Sequence, residues 1–576
     1  MLLAAINLTI DPSGVFGDRL FDWYAYNITR NPQAAKIVYM KKHSGEFDSY
    51  IIGGNAAAAY SPVRLEEYTG GYFYNMFYDG ADMESNLLLV RHLLDNYDVK
   101  NIVLPLELED GATFGAQSGA LSPSLGGNAL RFYIKHLFAN PRNAVAKVKA
   151  LMNDSYLPQP FDLYSSETGM YDRTVRDVDF VGSTAQDYAA TTSFAEPVFP
   201  PLPDTNAFTE NLAKIRDLCA ENSVTLTVIL TPQYSKRLEA YLSGELDRFR
   251  AALAEAVDYW DFSDTPLSND ARYFYDKWHM RNALGDMVLA CIFGDTDVYY
   301  PPHFGTFIKR GEDVKPGKTT ETANTAEIPV LLYHHFAPDG EQGTVVSAEC
   351  FEEQMSALKN AGYTAVTPSQ LVAYVDKGTT LPEKPVLITI DDGYLSNYEI
   401  AFPILEKYSM KATIFVIGVS VGKDLYKNTD VPIIPHFGDA EMREMTQSGI
   451  ISIQSHTYDM HQSETLDDPC RTGVLRREGE AETAYITHFR EDISRSRSEI
   501  EDATGEPAFA LAFPGGYRDT LADVLLMQEG VRLTFTTESG VNTLIKGLPQ
   551  SLYRMRRFNV EGGITGAEII RMIEKN

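Results

Sequence analysis

The stretch Pro385-Val386-Leu387-Ile388-Thr389-Ile390-Asp391-Asp392-Gly393 begins as an apolar, β-rich run and ends abruptly in two carboxylates and a glycine. Such a run predicts a strand that is buried on both faces, as in a parallel sheet covered by helices. In α/β folds the chemistry lies at the carboxyl end of such strands. Two adjacent aspartates there face opposite sides, so one can bind a metal while the other accepts a proton. An ordinary Asp-Asp-Gly turn is the alternative, and this stretch alone favours the turn.

Two further apolar runs end in polar clusters. Residues 450–461 form a short strand that ends in Ser455-His456-Thr457-Tyr458-Asp459-Met460-His461, so two imidazoles lie five residues apart. One carboxylate and two imidazoles, with positions left for water, are the ligand set of a catalytic divalent-metal site. Residues 509–513 then lead into Pro514-Gly515-Gly516-Tyr517, a turn whose backbone N–H groups are free to face an oxyanion. Three such strand ends together favour a hydrolytic site over isolated turns.

From residue 328 to the C-terminus the chain resembles the polysaccharide deacetylases of the NodB-homology type (carbohydrate esterase family 4). It is most similar to the branch that deacetylates poly-N-acetylglucosamine. The matching motifs are residues 330–335, 389–393, 455–461 and 512–516. The resemblance implies a distorted (β/α) barrel over residues 328–576, and an enzyme that hydrolyses acetyl groups.

The resemblance also implies roles for individual residues. Asp392, His456 and His461 would hold a divalent metal, with zinc expected and cobalt or nickel as alternatives. Asp391 would be the general base, and the Gly515 N–H would contact the oxyanion. We expect a further set of residues to form the wall of the pocket: His334, His335, Tyr394, Pro514, Tyr517 and His436.

The chain departs from the family pattern at two places. The family often has a late Leu-x-His motif, whereas no histidine follows His488 here, so we hypothesise that His436 is the proton donor. The arginine that commonly precedes the Pro-x-Gly motif is also missing. We predict that Arg554 or Arg557 orients Asp391 instead, and we count Arg554 among the catalytic residues.

Length, charge and cysteine spacing set broader limits. The chain has 576 residues and a net charge of −29, which predicts two or more domains and argues against nucleic acid as a partner. Its four cysteines are widely spaced and include no Cys-x-x-Cys pair. They therefore suggest neither a zinc knuckle nor a dense disulfide framework.

The first half alternates strand-like and helix-like stretches. Residues 49–54, 101–106 and 225–230 read as buried strands, and residues 211–221 read as an amphipathic helix. This alternation predicts a doubly wound α/β domain over residues 1–300. Residues 111–204 read as an insertion that contains helices.

This half resembles the DltD/AlgX-like branch of the SGNH hydrolases in Asp11-Pro12, Tyr74-Asn75-Met76 and the pair Asp276 and His279. That family's nucleophilic serine would stand where this chain has Asn55, and an amide cannot accept an acyl group. Ser61 lies too far along the chain to replace it. Either the site is degenerate and the domain binds or docks, or Asn55 was introduced to trap a substrate. Alternatively, Asp276 and His279 are a simple ion pair at a helix start, with Asp276 as the cap.

Residues 301–327 are polar without apolar periodicity, which predicts a linker. The first ten residues are apolar but too short to span a bilayer. They read as the first core strand or, as we favour, the outer end of a trimmed membrane anchor. Because the substrates of the resembled enzymes lie outside the cytoplasm, we expect an extracytoplasmic protein at the cell surface.

The sequence therefore predicts a metal-dependent deacetylase of an N-acetylhexosamine polymer or of peptidoglycan. Two alternatives remain open at this point. An O-acetyl polysaccharide esterase would use the same site, and a glycan-binding or assembly protein would have both halves degenerate.

Overall fold

A computed structural model describes residues 1–17, 32–78, 80–108, 129–152, 165, 167–171, 173–178, 185–194, 205–239, 241, 244–314, 324–339 and 343–574. These residues form two compact units. The first unit comprises residues 1–176 and 183–323, and the second comprises residues 177–182 and 324–576. Each unit has its own hydrophobic core.

The first unit is built on a six-stranded sheet with the order β2-β1-β3-β4-β5-β6. Strands β1 to β5 run parallel, and β6 is antiparallel to β5. The strands are β1 Ser49–Ile51, β2 Phe73–Asn75, β3 Asn101–Leu106, β4 Thr225–Leu230, β5 Tyr259–Asp261 and β6 Thr306–Ile308. The predicted α/β sheet is therefore confirmed, while the short strands β2, β5 and β6 were not predicted.

Twelve described helices precede residue 300. They are α1 Leu2–Ile10, α2 Pro32–Lys42, α3 Pro62–Thr69, α4 Met83–Asn96, α5 Ala129–Leu137, α6 Pro141–Met152, α7 Thr174–Val178, α8 Ala185–Ala189, α9 Asn206–Glu221, α10 Ser235–Glu239, α11 Glu245–Ala256 and α12 Asn282–Phe293. Helix α9 contains the predicted amphipathic helix and buries Leu212 and Ile215 in the core. Residues 111–128, 153–164 and 195–204 of the predicted insertion lie outside the described residues.

The N-terminal residues do not form the core strand that was one of the two interpretations. Leu2–Ile10 is a helix, and it ends at Asp11, whose backbone is in the left-handed conformation. A run of leucine and alanine satisfies its own backbone in a helix, so an apolar decapeptide does not by itself identify a strand. Among the described residues, no helix is both long and apolar enough to cross a lipid bilayer.

The second unit is a distorted parallel (β/α) barrel. Its main sheet has the order β16-β15-β14-β13-β12-β8-β18, with the short strand β11 beside β12. Two parallel pairings bring the edges together, because Met555 pairs with Phe535 of β16 and Phe558 of β18 pairs with Leu331 of β8. The strands are β7 Thr325–Ile328, β8 Val330–Tyr333, β9 His335–Ala337, β10 Val345–Ser347, β11 Thr364–Ala365, β12 Pro385–Asp392, β13 Ala412–Val416, β14 Ile451–Ser455, β15 Ala510–Ala512, β16 Leu533–Phe535, β17 Asn542–Ile545 and β18 Phe558–Asn559.

Helices alternate with these strands and cover the barrel. They are α13 Ala348–Asn360, α14 Pro368–Lys377, α15 Phe402–Tyr408, α16 Asp439–Gln447, α17 Glu482–Thr504, α18 Thr520–Gln528 and α19 Gly566–Glu574. Helix α14 shows how the sequence sets a helix start: Thr367 and Gln370 form a capping box around Pro368. All eight residues of β12 are buried, as expected for a strand covered on both faces.

Two strands lie within the range predicted as a linker. Thr306–Ile308 forms β6 of the first sheet, and Thr325–Ile328 forms β7, which pairs with β17. Their polar side chains are largely exposed, so composition alone suggested a linker. Residues 315–323 lie outside the described residues.

Candidate active site

The predicted site residues of the second unit follow neighbouring strands of the barrel. Asp391 and Asp392 end β12, His456 comes directly after β14, and Pro514 begins the turn that follows β15. Because the strands are parallel, their carboxyl ends meet at one rim. The segment that closes the barrel brings Arg557 to the same place.

Asp392, His456 and His461 form one cluster. Each offers a ligand atom, and these atoms lie within 4.8 Å of one another. The Nε2 atoms of His456 and His461 lie 3.6 and 3.8 Å from Asp392 Oδ1. His456 Nδ1 lies 2.8 Å from the carbonyl oxygen of Ala512, which fixes a tautomer that leaves Nε2 as a lone-pair donor. Burial lowers the pKa of His456 to about 4, which keeps it neutral, as a metal ligand must be.

This donor set fits a divalent transition metal. Two imidazole nitrogens and one carboxylate oxygen are the kinds of ligand that zinc prefers in catalytic sites, where three protein ligands leave a position for water. His456 is buried, whereas 39% of the His461 side chain is exposed. The cluster is therefore open on the His461 side.

Asp391 is held by a buried arginine. Arg557 Nη1 and Nη2 donate to Asp391 Oδ1 and Oδ2, each at 2.7 Å, and both side chains are almost fully buried. Burial would raise the pKa of Asp391, but the charge of Arg557 outweighs it and lowers the pKa to about 2. Arg557 is itself fixed, because its Nε donates to the carbonyl oxygen of Thr536 at 2.8 Å. Asp391 is therefore an ionised carboxylate in a fixed orientation.

The prediction that Arg554, counted among the catalytic residues, orients Asp391 is wrong. Arg554 Nε and Nη2 donate to Asp523 Oδ2 at 2.9 and 2.6 Å, so its guanidinium is engaged away from Asp391. Arg554 also has a left-handed backbone, with φ 57°, and three residues further on Arg557 reaches the site. Of the two arginines considered from the sequence, Arg557 orients Asp391.

The Pro-Gly-Gly turn presents a backbone N–H at the same rim. Gly515 has φ 61°, and Gly516 has φ 75°. The Gly516 N–H is bonded to the carbonyl oxygen of Phe513, whereas the Gly515 N–H has no acceptor among the described residues. A Cβ on Gly515 would lie 2.8 Å from the Tyr517 ring, so this turn requires glycine for both conformation and space.

The two histidines after β8 face different groups. His335 Nδ1 lies 2.8 Å from Ser396 Oγ, and its ring packs against the ring of Tyr394. The Tyr394 hydroxyl faces Asp392, and burial followed by that negative charge raises the pKa of Tyr394. His334 instead lies on the Asp391 side, where its attraction helps to lower the pKa of that carboxyl, and its buried Nδ1 has no hydrogen-bond partner among the described groups.

His436 also lies beside the cluster. Its backbone pairs with that of Tyr394, two residues after Asp392, and the two rings are 4.9 Å apart. Burial lowers the pKa of His436, and the charge of Asp392 partly opposes that shift. The residue therefore lies in the predicted pocket wall.

At the predicted N-terminal site, the structure pairs Asp276 with His279. His279 Nδ1 lies 2.9 Å from both carboxylate oxygens of Asp276, which also accepts the backbone N–H groups of Trp278 and His279. The helix-cap interpretation is wrong, because the next helix, α12, begins only at Asn282 and follows Arg281. Asn55 begins a 3-10 turn directly after β1.

Ser61 has a structural task, since its Oγ caps helix α3 by accepting the N–H of Arg64. The likeness of this unit to SGNH hydrolases stays a prediction.

Comparison with known proteins decides the family of the second unit. The polysaccharide deacetylase family model matches residues 378–533. YxkH of Bacillus subtilis (strain 168), whose name assigns it to the polysaccharide deacetylases, is 30% identical over 254 residues, which are 44% of this chain and 78% of that protein. The chain belongs to the polysaccharide deacetylase family. The family assignment makes it a hydrolase of the deacetylase type, as the sequence predicts.

Other relatives have narrower names. A poly-β-1,6-N-acetyl-D-glucosamine N-deacetylase of Staphylococcus aureus (strain MRSA252) is 35% identical over 193 residues, which are 34% of this deacetylase chain. The chain spans 61% of the length of that enzyme. Among solved structures, IcaB from Ammonifex degensii is 26% identical, with a TM-score of 0.36 over 43% of this chain and 97% of that one.

Proposed function

We propose that the second unit is a metal-dependent deacetylase that removes acetyl groups from an N-acetylhexosamine polysaccharide outside the cytoplasm. One observation carries the proposal: the Asp392, His456 and His461 ligand set lies beside a buried carboxylate, Asp391, that Arg557 holds ionised. A metal site with an adjacent oriented base is an arrangement that can hydrolyse an unactivated amide.

The choice of substrate rests on the relatives and on the surface around the rim. Several relatives are named as N-deacetylases of poly-β-1,6-N-acetyl-D-glucosamine. Tyr517, directly after the glycine turn, is 52% exposed. Aliphatic side chains are exposed on the neighbouring loops, namely Leu425, Val431, Ile434 and Leu466. Exposed aromatic and aliphatic side chains suit the C–H faces of pyranose rings, which supports a polymeric sugar as the substrate.

The residues around the cluster divide the work of hydrolysis. Asp391 takes a proton from the attacking water, since its orientation and ionisation are fixed by Arg557. The Gly515 N–H donates to the oxyanion that develops on the acetyl group. We assign the proton for the leaving amine to His334 in place of His436, because His334 lies on the Asp391 side of the pocket and its buried Nδ1 has no hydrogen-bond partner among the described groups. These three groups lie on three different strand ends of the barrel.

Asp392, His456 and His461 would hold the metal, for which zinc is proposed. When bound, the metal supplies Lewis acidity that polarises the acetyl carbonyl and acidifies water. The chain's own contribution is to keep His456 neutral and Asp392 oriented, with the Tyr394 hydroxyl facing that carboxylate. Outward exposure of His461 leaves room for a substrate to approach.

The proposal is tested by acetate release from the full-length protein. Zinc-loaded protein is incubated with N-acetylglucosamine oligomers and, separately, with an O-acetylated xylan. Asp391→Asn removes the base, and Asp502→Asn, an exposed residue of α17, is the matched control. We expect release from the oligomers that falls by about 10²-fold or more in Asp391→Asn and is unchanged in the control. Release from xylan alone would instead indicate an ester hydrolase, and full activity of Asp391→Asn would refute the assigned base.

A further inference from the structure

The loop between the two histidine ligands is held by helix α17. His456 has a hydrogen bond of its own, to the carbonyl oxygen of Ala512. His461, in contrast, has no hydrogen bond among the described residues, and 39% of its side chain is exposed. The position of the His461 ring therefore depends on the backbone of residues 457–460. Whatever fixes that backbone also fixes the third ligand.

Asp492 of α17 binds this backbone directly. Its Oδ1 accepts the Tyr458 N–H at 2.8 Å, and its Oδ2 accepts the Asp459 N–H at 2.7 Å. The carboxyl group is buried, with 5% of the residue exposed. Two successive N–H groups converge on it because Thr457 has φ 70°, the left-handed turn that creates an anion-binding concavity.

The conformation of Thr457 shows that the loop is constrained. A β-branched residue at positive φ is strained, and such strain persists only where the surroundings over-determine it. A second contact from α17 supplies part of that constraint. Ser496 Oγ lies 2.8 Å from Ser455 Oγ, which accepts the Thr457 N–H at 3.0 Å.

The opposite side of the loop carries a cation. Lys427 Nζ lies 2.7 Å from Asp459 Oδ1 and 2.6 Å from Asp467 Oδ1. The loop is thus held between a buried carboxylate on α17 and a lysine from the segment after β13. Side chains that act on a ligand through its backbone have the same effect as those that bond to the ligand ring, since both limit where the donor atom lies.

We propose that Asp492, assisted by Ser496, is a positioning residue that sets the zinc affinity of the site by fixing the His461 loop. The inference rests on the proposed function, because it takes Asp392, His456 and His461 as the ligands. It adds a residue 31 positions beyond the last ligand, on a helix that bears none of them.

The test measures zinc affinity in the full-length protein. Chelator-stripped wild type, Asp492→Asn, Ser496→Ala and the control Asp502→Asn compete for zinc with a chromophoric chelator. Asn keeps one acceptor but turns an NH₂ group toward the second backbone N–H. For each variant we record hydrogen–deuterium exchange of the peptide that covers residues 456–461. We also record the thermal midpoint of the zinc-free variant.

We expect Asp492→Asn to weaken zinc binding by about 10- to 100-fold and to speed exchange in that peptide. Ser496→Ala should change zinc affinity and the exchange rate in the same direction but by less. This variant provides the test if Asp492→Asn fails to fold. If Asp492→Asn folds and binds zinc as tightly as wild type, the positioning role is refuted, even if the thermal midpoint falls. If Asp492→Asn does not fold, wild-type zinc affinity in Ser496→Ala refutes it. If wild type binds no zinc, the proposed function fails and the inference falls with it.

Discussion

Replacing Arg557 with glutamine should cost more stability than replacing any surface arginine of the same unit. Arg557 is fully buried, donates to both oxygens of Asp391 and bonds the carbonyl oxygen of Thr536. Its loss leaves a carboxylate that is 3% exposed without its counter-ion. Breaking a buried pair in this way costs about 3–5 kcal/mol. For a unit of this size, that corresponds to a fall of about 6–20 °C in the thermal midpoint.

The pH dependence of that loss follows from the pKa of Asp391. In the wild-type fold the pKa is lowered to about 2, so the pair contributes its full stability above the unfolded value of about 4 and loses it as pH falls toward 2. Without Arg557, burial raises the pKa, so the carboxyl is destabilising at neutral pH and is relieved when it is protonated. The deficit of Arg557→Gln should therefore be largest near pH 7 and smaller near pH 4–5.

The assay is denaturant unfolding of the zinc-free protein at both pH values, with acetate release measured in parallel. Arg532→Gln is the matched control, since Arg532 pairs with Asp376 but the two side chains are 36% and 24% exposed. That exposed pair should be worth at most about 1 kcal/mol. If Arg557→Gln unfolds within about 1 kcal/mol of the control and still releases acetate, the buried pair does not act as described.

Three further predictions concern the rim. Gly515→Ala should lower kcat by about 10²-fold, as measured by the reaction rate at saturating substrate. The backbone φ of 61° and a new Cβ 2.8 Å from the Tyr517 ring would both displace the turn. His334→Asn should lower kcat by about 10²-fold or more, whereas His335→Asn, whose ring contacts Ser396, should change it by less; equal effects would refute the assigned proton donor. Tyr517→Ala should raise KM for oligomers by about 3- to 10-fold with little change in kcat, and an unchanged KM would remove that ring from substrate binding.

Strand composition predicted most of the rim. The apolar runs that end at Asp392, His456 and Pro514 are strands in the structure, because burial on both faces requires apolar residues and the chemistry begins where burial ends. In the first unit, β3 and β4 have the predicted bounds for the same reason. The spacing of His456 and His461 was likewise enough to group them with Asp392.

Other features depend on contacts that no local pattern encodes. Arg557 reaches Asp391 across 166 residues, and only closure of the barrel decides that it does so in place of Arg554. Successive side chains of a strand alternate between its two faces, so His334 lies near Asp391 while His335 contacts Ser396. A Tyr-His-His motif does not reveal this difference. Asp492 was missed because it lies within an ordinary helix. The signal available in the sequence was a charged residue at a helix position where the spacing of Tyr485 and Phe489 predicts a core residue.

The zinc stoichiometry of the protein decides whether Asp392, His456 and His461 form a metal site. Full-length protein, stripped with a chelator, is titrated with zinc by isothermal calorimetry, beside His456→Ala and the exposed control Asp502→Asn. We expect about one tightly bound zinc per chain in wild type and control, and at least a 100-fold weaker affinity in His456→Ala, which loses one of three ligands. A wild-type protein that binds no zinc, or a His456→Ala variant that binds it as tightly, would contradict the account.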